Sequence, residues 1–179
     1  MTLTDLYQRP GFLLRRTHQI SAAVFENACA SVGLTPAQYG VLTVLAAEPG
    51  LDQTRLSRAL AFDKVTVMRV LKGLEERGLV RREQSAVSRR QKTVDLTPAG
   101  QALLEAAREP AERAYQRLLS PLDVAQRHQL IELLQTLTNG LADEARAPFV
   151  PLDPAGTKAD KVRTTSGRTT AADPRRTRD

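Results

Sequence analysis

The chain has 179 residues, 41% of them hydrophobic, which is enough for one domain with its own core. Lys and Arg number 26 against 20 Asp and Glu, a net charge of +6, and the isoelectric point is near 10.0. That balance favours a polyanionic partner, whereas 4% aromatics and no Trp argue against a stacking platform for single-stranded nucleic acid. The one cysteine, Cys29, excludes an intrachain disulfide framework and a Cys-rich zinc site.

The N-terminal run Met1-Thr-Leu-Thr-Asp-Leu-Tyr7 lacks the basic-then-apolar order of a secretory signal. The longest interior uncharged stretch, Asn27 to Ala47, is broken by Gly33-Leu-Thr-Pro36. It reads as two soluble helices rather than one membrane span, and the expected location is the cytoplasm.

Residues 11–32 carry two adjacent stripes at helical spacing, Leu13-Thr17-Ile20-Val24-Ala28 and Leu14-His18-Ala22-Phe25-Cys29. They predict a helix buried on a wide face and ended by Gly33. Thr35 as cap, Pro36 at the first helical position and Gln38 at the third open a second helix, which Glu48-Pro49-Gly50 closes. Gln53 to Ala61 is short and amphipathic, with Leu56 and Leu60 four apart. Asp63 caps a fourth helix that carries Val67, Val70, Leu71 and Leu74 and stops at Gly78.

Leu79–Arg82 and Lys92–Leu96 are strand-like, and the polar, basic segment between them is too long for a tight turn, so it projects as a loop. Thr97-Pro98 opens a long helix that Pro110 should kink or interrupt. Asp123-Val-Ala-Gln126 is a further capping box, and the last helix carries Leu130, Leu134, Leu137 and Leu141 at 4-3-4 spacing, a seam that wants a partner helix. Beyond Pro148 the composition changes. Seven basic residues face four acids with almost no large apolar side chain after Val150, so 148–179 is expected to be a disordered basic tail.

The fold class expected is mainly α with a short β-hairpin. Helices followed by a two-stranded hairpin give the element order of a winged helix-turn-helix, in which one helix enters the major groove and the wing loop reaches the adjacent backbone or minor groove. The helix from Lys64 to Arg77 fits the groove role. Arg69 can donate twice to a guanine edge, while Thr66, Val65 and Met68 can meet thymine methyls or sugars. Lys64 and Lys72 suit phosphates, and Arg89, Arg90 and Lys92 are the candidate wing contacts. The alternative for any one of these is a solvated basic face.

The segments Gln53-Thr-Arg-Leu-Ser-Arg-Ala-Leu60, Asp63 through Arg82, and Leu96-Thr-Pro-Ala-Gly100 resemble the MarR family of bacterial transcriptional regulators. The resemblance spans about residues 11–145, and the entry Pro10 to Ile20 looks like the regulators of aromatic-acid degradation genes. It implies a homodimer, with dimerisation helices at about 11–32 and 98–145 and a winged domain at about 35–97, together forming a unit over 1–147. It also implies a pseudo-palindromic double-stranded operator and repression relieved by a small molecule. The leucine seam supports the dimer independently. Two departures stand out. Ser88 occupies a wing position where the family usually has Asp, and Val65 and Met68 replace small hydroxyl residues, which suggests more apolar base contact.

Arg16 and His18 are set into the apolar stripes of the first helix, whereas Arg15 lines up with Gln19 and Glu26. A cation and an imidazole near Tyr39 suit an aromatic carboxylate, a phenolate or a thioester, so Arg16, His18, Arg15 and Tyr39 are the candidate effector residues. The competing readings are a satisfied core histidine and an arginine paired at the dimer interface. Cys29 raises a redox-gated alternative, but no basic residue adjoins it in sequence and a buried thiol fits better. No GxSxG, GxxxxGK[ST] or HExxH occurs, and His18 and His128 have no partners at metal-ligand spacing, so neither an enzyme nor a cofactor or metal is expected. The remaining alternative is an effector-free architectural DNA-binding protein, with the tail acting either as a counterion-releasing arm or as an inert solubilising segment.

Overall fold

The computed structural model describes residues 2–84 and 92–152. Arg89 and Arg90 of the wing loop, and the tail from Asp153 onward, lie outside the described residues. In chain order the elements are α1 (Leu3–Tyr7), α2 (Pro10–Ala28), α3 (Pro36–Ala47), β1 (Leu51–Asp52), α4 (Gln53–Ala59), α5 (Lys64–Glu76), β2 (Val80–Gln84), β3 (Lys92–Leu96), α6 (Pro98–Leu119) and α7 (Val124–Gly140). The molecule is thus mainly helical with a small antiparallel sheet, in strand order β1-β3-β2.

Most helix starts lie where the capping chemistry puts them. Thr35 and Gln38 form the capping box of α3, and Asp123 and Gln126 that of α7. Asp63 caps α5 and Thr97 caps α6. Gly33, Gly50 and Gly78 take positive φ at the turns that end α2, α3 and α5, where a side chain would be strained.

Several expectations are corrected. The first long helix stops at Ala28 rather than 32, because Cys29 to Gly33 fold into a turn whose Val32 and Gly33 N–H groups both donate to the Cys29 carbonyl. A one-turn helix, α1, precedes it, held by a capping box between Thr2 and Asp5. The helix starting at Gln53 ends at Ala59, since Ala61 adopts a left-handed φ of 50°. The hairpin gains a third strand, in which Leu51 pairs with Val94 and Asp52 with Thr93. Pro110 does not interrupt its helix: α6 runs unbroken for 22 residues with Pro110 buried inside it. The chain does not leave the fold at residue 147 either. Val150 donates its N–H to the Arg58 carbonyl at 3.0 Å, and Leu152 packs against the main core.

That main core joins α3, α4, α5, the sheet and the first half of α6 through Leu42, Leu45, Leu56, Val67, Leu71, Leu74, Val94 and Leu104. A smaller core ties α2 to α6 through Phe25, Cys29, Ala111 and Ala114. The small residues of α6 let the Phe25 ring approach closely, and that ring lies 5.5 Å from the ring of Tyr39 and 6.2 Å from that of Tyr115. The α7 helix buries none of its residues: Leu134, Leu137 and Leu141 of the leucine seam are exposed, as are Ile131 and Leu133. In α2, Leu13, Leu14 and Ile20 are similarly uncovered. Among the described residues no helix is long and apolar enough to cross a membrane.

Candidate nucleic-acid interface

Helix α5 has two unlike faces. Val67, Val70, Leu71 and Leu74 recur at three- and four-residue spacing and are buried. The opposite side presents Lys64, Val65, Met68, Arg69 and Lys72 to solvent. Val65 is 76% exposed and Met68 47%, large apolar side chains on a face that the fold itself leaves uncovered. Neither Lys64 nor Arg69 forms a salt bridge among the described residues, whereas Lys72 lies 3.7 Å from Glu76, one turn on.

Thr66 is placed differently from the free contact residue the sequence suggested. Its N–H donates to Asp63 Oδ1 at 2.7 Å and its hydroxyl to Asp63 Oδ2 at 3.0 Å. The hydroxyl is engaged with the capping carboxylate, and Thr66 is half-buried. The same bonds hold the Asp63 carboxyl below the usual carboxylate range, the Thr66 backbone N–H contributing most and the Thr66 hydroxyl next.

The start of α4, the start of α5 and the middle and outer part of the hairpin converge on an open cleft of about 400 Å³ lined by Asp52, Gln53, Thr54, Lys64, Arg82, Lys92 and Val94. The fold therefore brings Lys64 and Lys92 to one site although 28 positions separate them in the chain. Lys92 is the first residue of β3, opposite Gln84, where the paired part of the wing ends. Arg82 joins them, and sequence reasoning missed it as a candidate. Its Nε lies 3.2 Å from a Glu75 carboxylate oxygen but without hydrogen-bond geometry, so the approach is a charge pair, not an aligned bond. The strand alternation around Val80 and Arg82 was the available signal, since it turns Arg82 to the same side of the hairpin as Val80.

The candidate effector residues are not gathered within one protomer. Arg16 and His18 are exposed, not embedded, and Leu13, Leu14 and Ile20 beside them are exposed as well. Arg15 donates to Gln19 Oε1 at 3.1 Å, as the helical spacing predicts, and its guanidinium sits 5.2 Å from the Phe12 ring centroid. Tyr39 instead contacts Phe25, about 10 Å further along the axis of α2 than His18. There it lines a second cleft, of about 430 Å³, with Thr43, Ala46, Ala47, Leu104 and Arg108. Arg108 was not singled out in the sequence, where it reads as one more charge on a helix. Cys29 is fully buried, and desolvation pushes its thiol pKa up, with Arg113 opposing the shift.

The family model described as MarR family matches residues 32–91, the span from the end of the α2 turn to the wing. A proposed transcriptional regulatory protein for the hcr operon of Thauera aromatica is 35% identical over 71% of this chain and 77% of its own length. Among solved structures, the transcriptional repressor CouR bound to a 23-mer DNA duplex is 33% identical with a TM-score of 0.70, covering 77% of this chain and 98% of that one. Bordetella bronchiseptica BpsR, whose DNA binding is regulated by 6-hydroxynicotinic acid, is 32% identical with a TM-score of 0.70, covering 74% and 95%. CouR has also been solved bound to p-coumaroyl-CoA.

Proposed function

This chain belongs to the MarR family of transcriptional regulators, and we propose that it is a homodimeric repressor that binds double-stranded DNA and is released by a small aromatic acid or its thioester. The observation that carries the DNA reading is the outer face of α5, where Val65, Met68 and Arg69 stand exposed between Lys64 and Lys72. In this reading α5 lies in the major groove. Arg69 reads a guanine edge, Val65, Met68 and the Thr66 methyl meet apolar base edges or sugars, and Lys64 and Lys72 hold phosphates. Lys92, with Arg89 and Arg90, serves the wing.

The dimer reading is supported by the apolar side chains that α2 and α7 leave in water. Covering a leucine or isoleucine is worth about 1.5–3 kcal/mol, and Leu13, Leu14, Ile20, Ile131, Leu133, Leu134, Leu137 and Leu141 all remain to be covered. A second copy brings the same two helices and supplies the partner that the leucine seam lacks. A pseudo-palindromic operator then mirrors the two-fold symmetry of the protein.

For the effector, Arg16 and His18, with Arg15 and Tyr39, are the proposed contacts. The support is chemical. A guanidinium and an imidazole bind a carboxylate or phenolate, Tyr39 offers an aromatic wall beside a cleft, and two of the similar structures concern 6-hydroxynicotinic acid and p-coumaroyl-CoA.

The deciding experiment compares Arg69→Ala and Lys72→Ala for binding to a panel of single-base operator variants. Loss of a bidentate base contact costs about 1–3 kcal/mol and erases preference at one base pair, whereas loss of a phosphate contact weakens all sequences alike. If Arg69→Ala keeps both affinity and preference, α5 does not read the groove as assigned.

A further inference from the structure

After α7 and a single 3-10 turn at Ala142–Glu144, the chain comes back to the winged unit. The Val150 N–H donates at 3.0 Å to the Arg58 carbonyl near the end of α4, and Leu152 packs against the main core. A backbone bond and a packed leucine thus hold residues 146–152 as a strap on the winged unit.

The strap carries a cation to the point where α5 begins. Arg146 lines an open cleft of about 360 Å³ with Thr54, Ser57 and Arg58 of α4 and with Asp63 and Lys64 at the start of α5. Arg58, Lys64 and Arg146 come from three separate segments, and all three are exposed. None of them forms a salt bridge among the described residues. Asp63, the one carboxylate in that lining, already accepts from Thr66 with both oxygens. A cleft lined by unneutralised charge of one sign concentrates its counter-ion. Gln53, Thr54 and Lys64 also line the cleft that holds Arg82 and Lys92, so the two clefts adjoin and their cations form one track. A track of this kind matches a chain of phosphates better than a single small anion.

We propose that Arg146, together with Arg58, binds a backbone phosphate of duplex DNA beside the one that Lys64 holds. This rests on the DNA-binding reading of α5 and adds to it a contact supplied from beyond α7. A phosphate contact fixes position and carries no base preference of its own.

The test titrates the full chain and its Arg146→Ala, Arg146→Lys and Leu152→Ala forms across a range of salt. The probe is a duplex selected by the parent protein from a random-sequence pool, together with its single-base variants. Each phosphate contact contributes about 0.9 to the slope of log affinity against log salt, so Arg146→Ala should lower the slope by about 2 per dimer. Its affinity should fall about 10-fold, and equally for every base variant. Arg146→Lys keeps the charge and should keep the slope. Leu152→Ala loosens the strap but retains Arg146, and it should fall between parent and Arg146→Ala. An Arg146→Ala protein with the parent's slope and affinity overturns the contact and leaves the α5 reading standing. A loss confined to one base pair, or one that Arg146→Lys does not restore, overturns it as well. A Leu152→Ala protein equal to the parent overturns the positioning role of the strap. Failure of the parent to bind any duplex overturns this contact and the α5 reading together.

Discussion

Gly100, in the first turn of α6, lies so close to Leu79 that a Cβ added to it would stand 2.0 Å from the Leu79 carbonyl oxygen. The contact belongs to a joint. The same carbonyl accepts the Thr97 N–H at 3.1 Å, the Thr97 hydroxyl donates to the Gly78 carbonyl at 2.7 Å, and the Gly100 N–H donates to the Thr97 hydroxyl at 3.0 Å. The start of the hairpin and the start of the long helix are thereby fixed to one another. Gly100→Ala must displace backbone, and overpacking of this kind costs about 1–3 kcal/mol or more. Thermal unfolding should show a melting temperature lower by several degrees. An unchanged value would mean that the joint gives way freely.

The joint also explains what was legible in the sequence. Leu96-Thr-Pro-Ala-Gly100 and the run ending at Arg82 carried the family resemblance, and in the structure both serve backbone geometry, so motif and fold agree. Helix starts were readable because Thr35, Asp63, Thr97 and Asp123 each satisfy orphan N–H groups locally. β1 was not readable, because two residues carry no period and their pairing partner, Val94, lies far along the chain. Arg82 was missed as part of the cationic cleft for a related reason, since its neighbours there come from α4, α5 and β3. Arg16 and His18 were misjudged as embedded because a stripe shows which face is apolar but not whether the same chain covers it.

Asp63 links stability to the recognition helix. Its carboxylate accepts from Thr66 twice, and its folded pKa is depressed. The ionised form is therefore favoured by folding, and its contribution is present above the unfolded pKa of about 3.9 and lost as pH falls through the lower folded value. Asp63→Ala should lower the melting temperature modestly at neutral pH and flatten the acid limb of the stability curve below about pH 4. It should also weaken operator binding, because the first turn carries Lys64 and Val65. Retention of the parent's acid limb by Asp63→Ala would assign that pH dependence to other carboxylates.

The uncovered seam of α7 predicts the oligomeric state. Light scattering after size exclusion should give about twice the 19.7 kDa chain mass. A double change, Leu134→Glu with Leu137→Glu, places charges on the face meant for a partner and should shift the mass toward the monomer. Operator affinity should then drop far more than for any single contact residue, since a monomer engages one half-site. A parent protein that runs as a monomer would sink the dimer.

Effector binding separates the two clefts and helix faces. Thermal-shift titration with aromatic carboxylates, phenols and their CoA thioesters should give a saturable rise in melting temperature, about 2.7 kcal/mol of stabilisation at a hundredfold excess over Kd. Arg16→Ala and His18→Ala should abolish that rise while leaving DNA binding intact. A shift that survives both changes but disappears in Arg108→Ala would move the site wholly to the Tyr39 cleft. No shift with any compound would leave Arg16 and His18 without an effector role.

Cys29 gives the sharpest test against redox gating. It is fully buried between α2 and α6, and desolvation raises its pKa. A raised acid pKa means that the folded protein holds its proton where the unfolded chain has begun to lose it. Stability from this group is thus intact below the unfolded pKa of about 8.5 and declines as pH rises above it. Tyr115, raised mainly by burial, acts in the same direction above about pH 10. At neutral pH the thiol is protonated and out of reach of solvent, so a thiol reagent should modify it only as fast as the protein opens. Peroxide should leave operator binding of the parent chain and of Cys29→Ser equal. Rapid labelling of the native protein, or peroxide-dependent release that Cys29→Ser abolishes, would restore the redox reading.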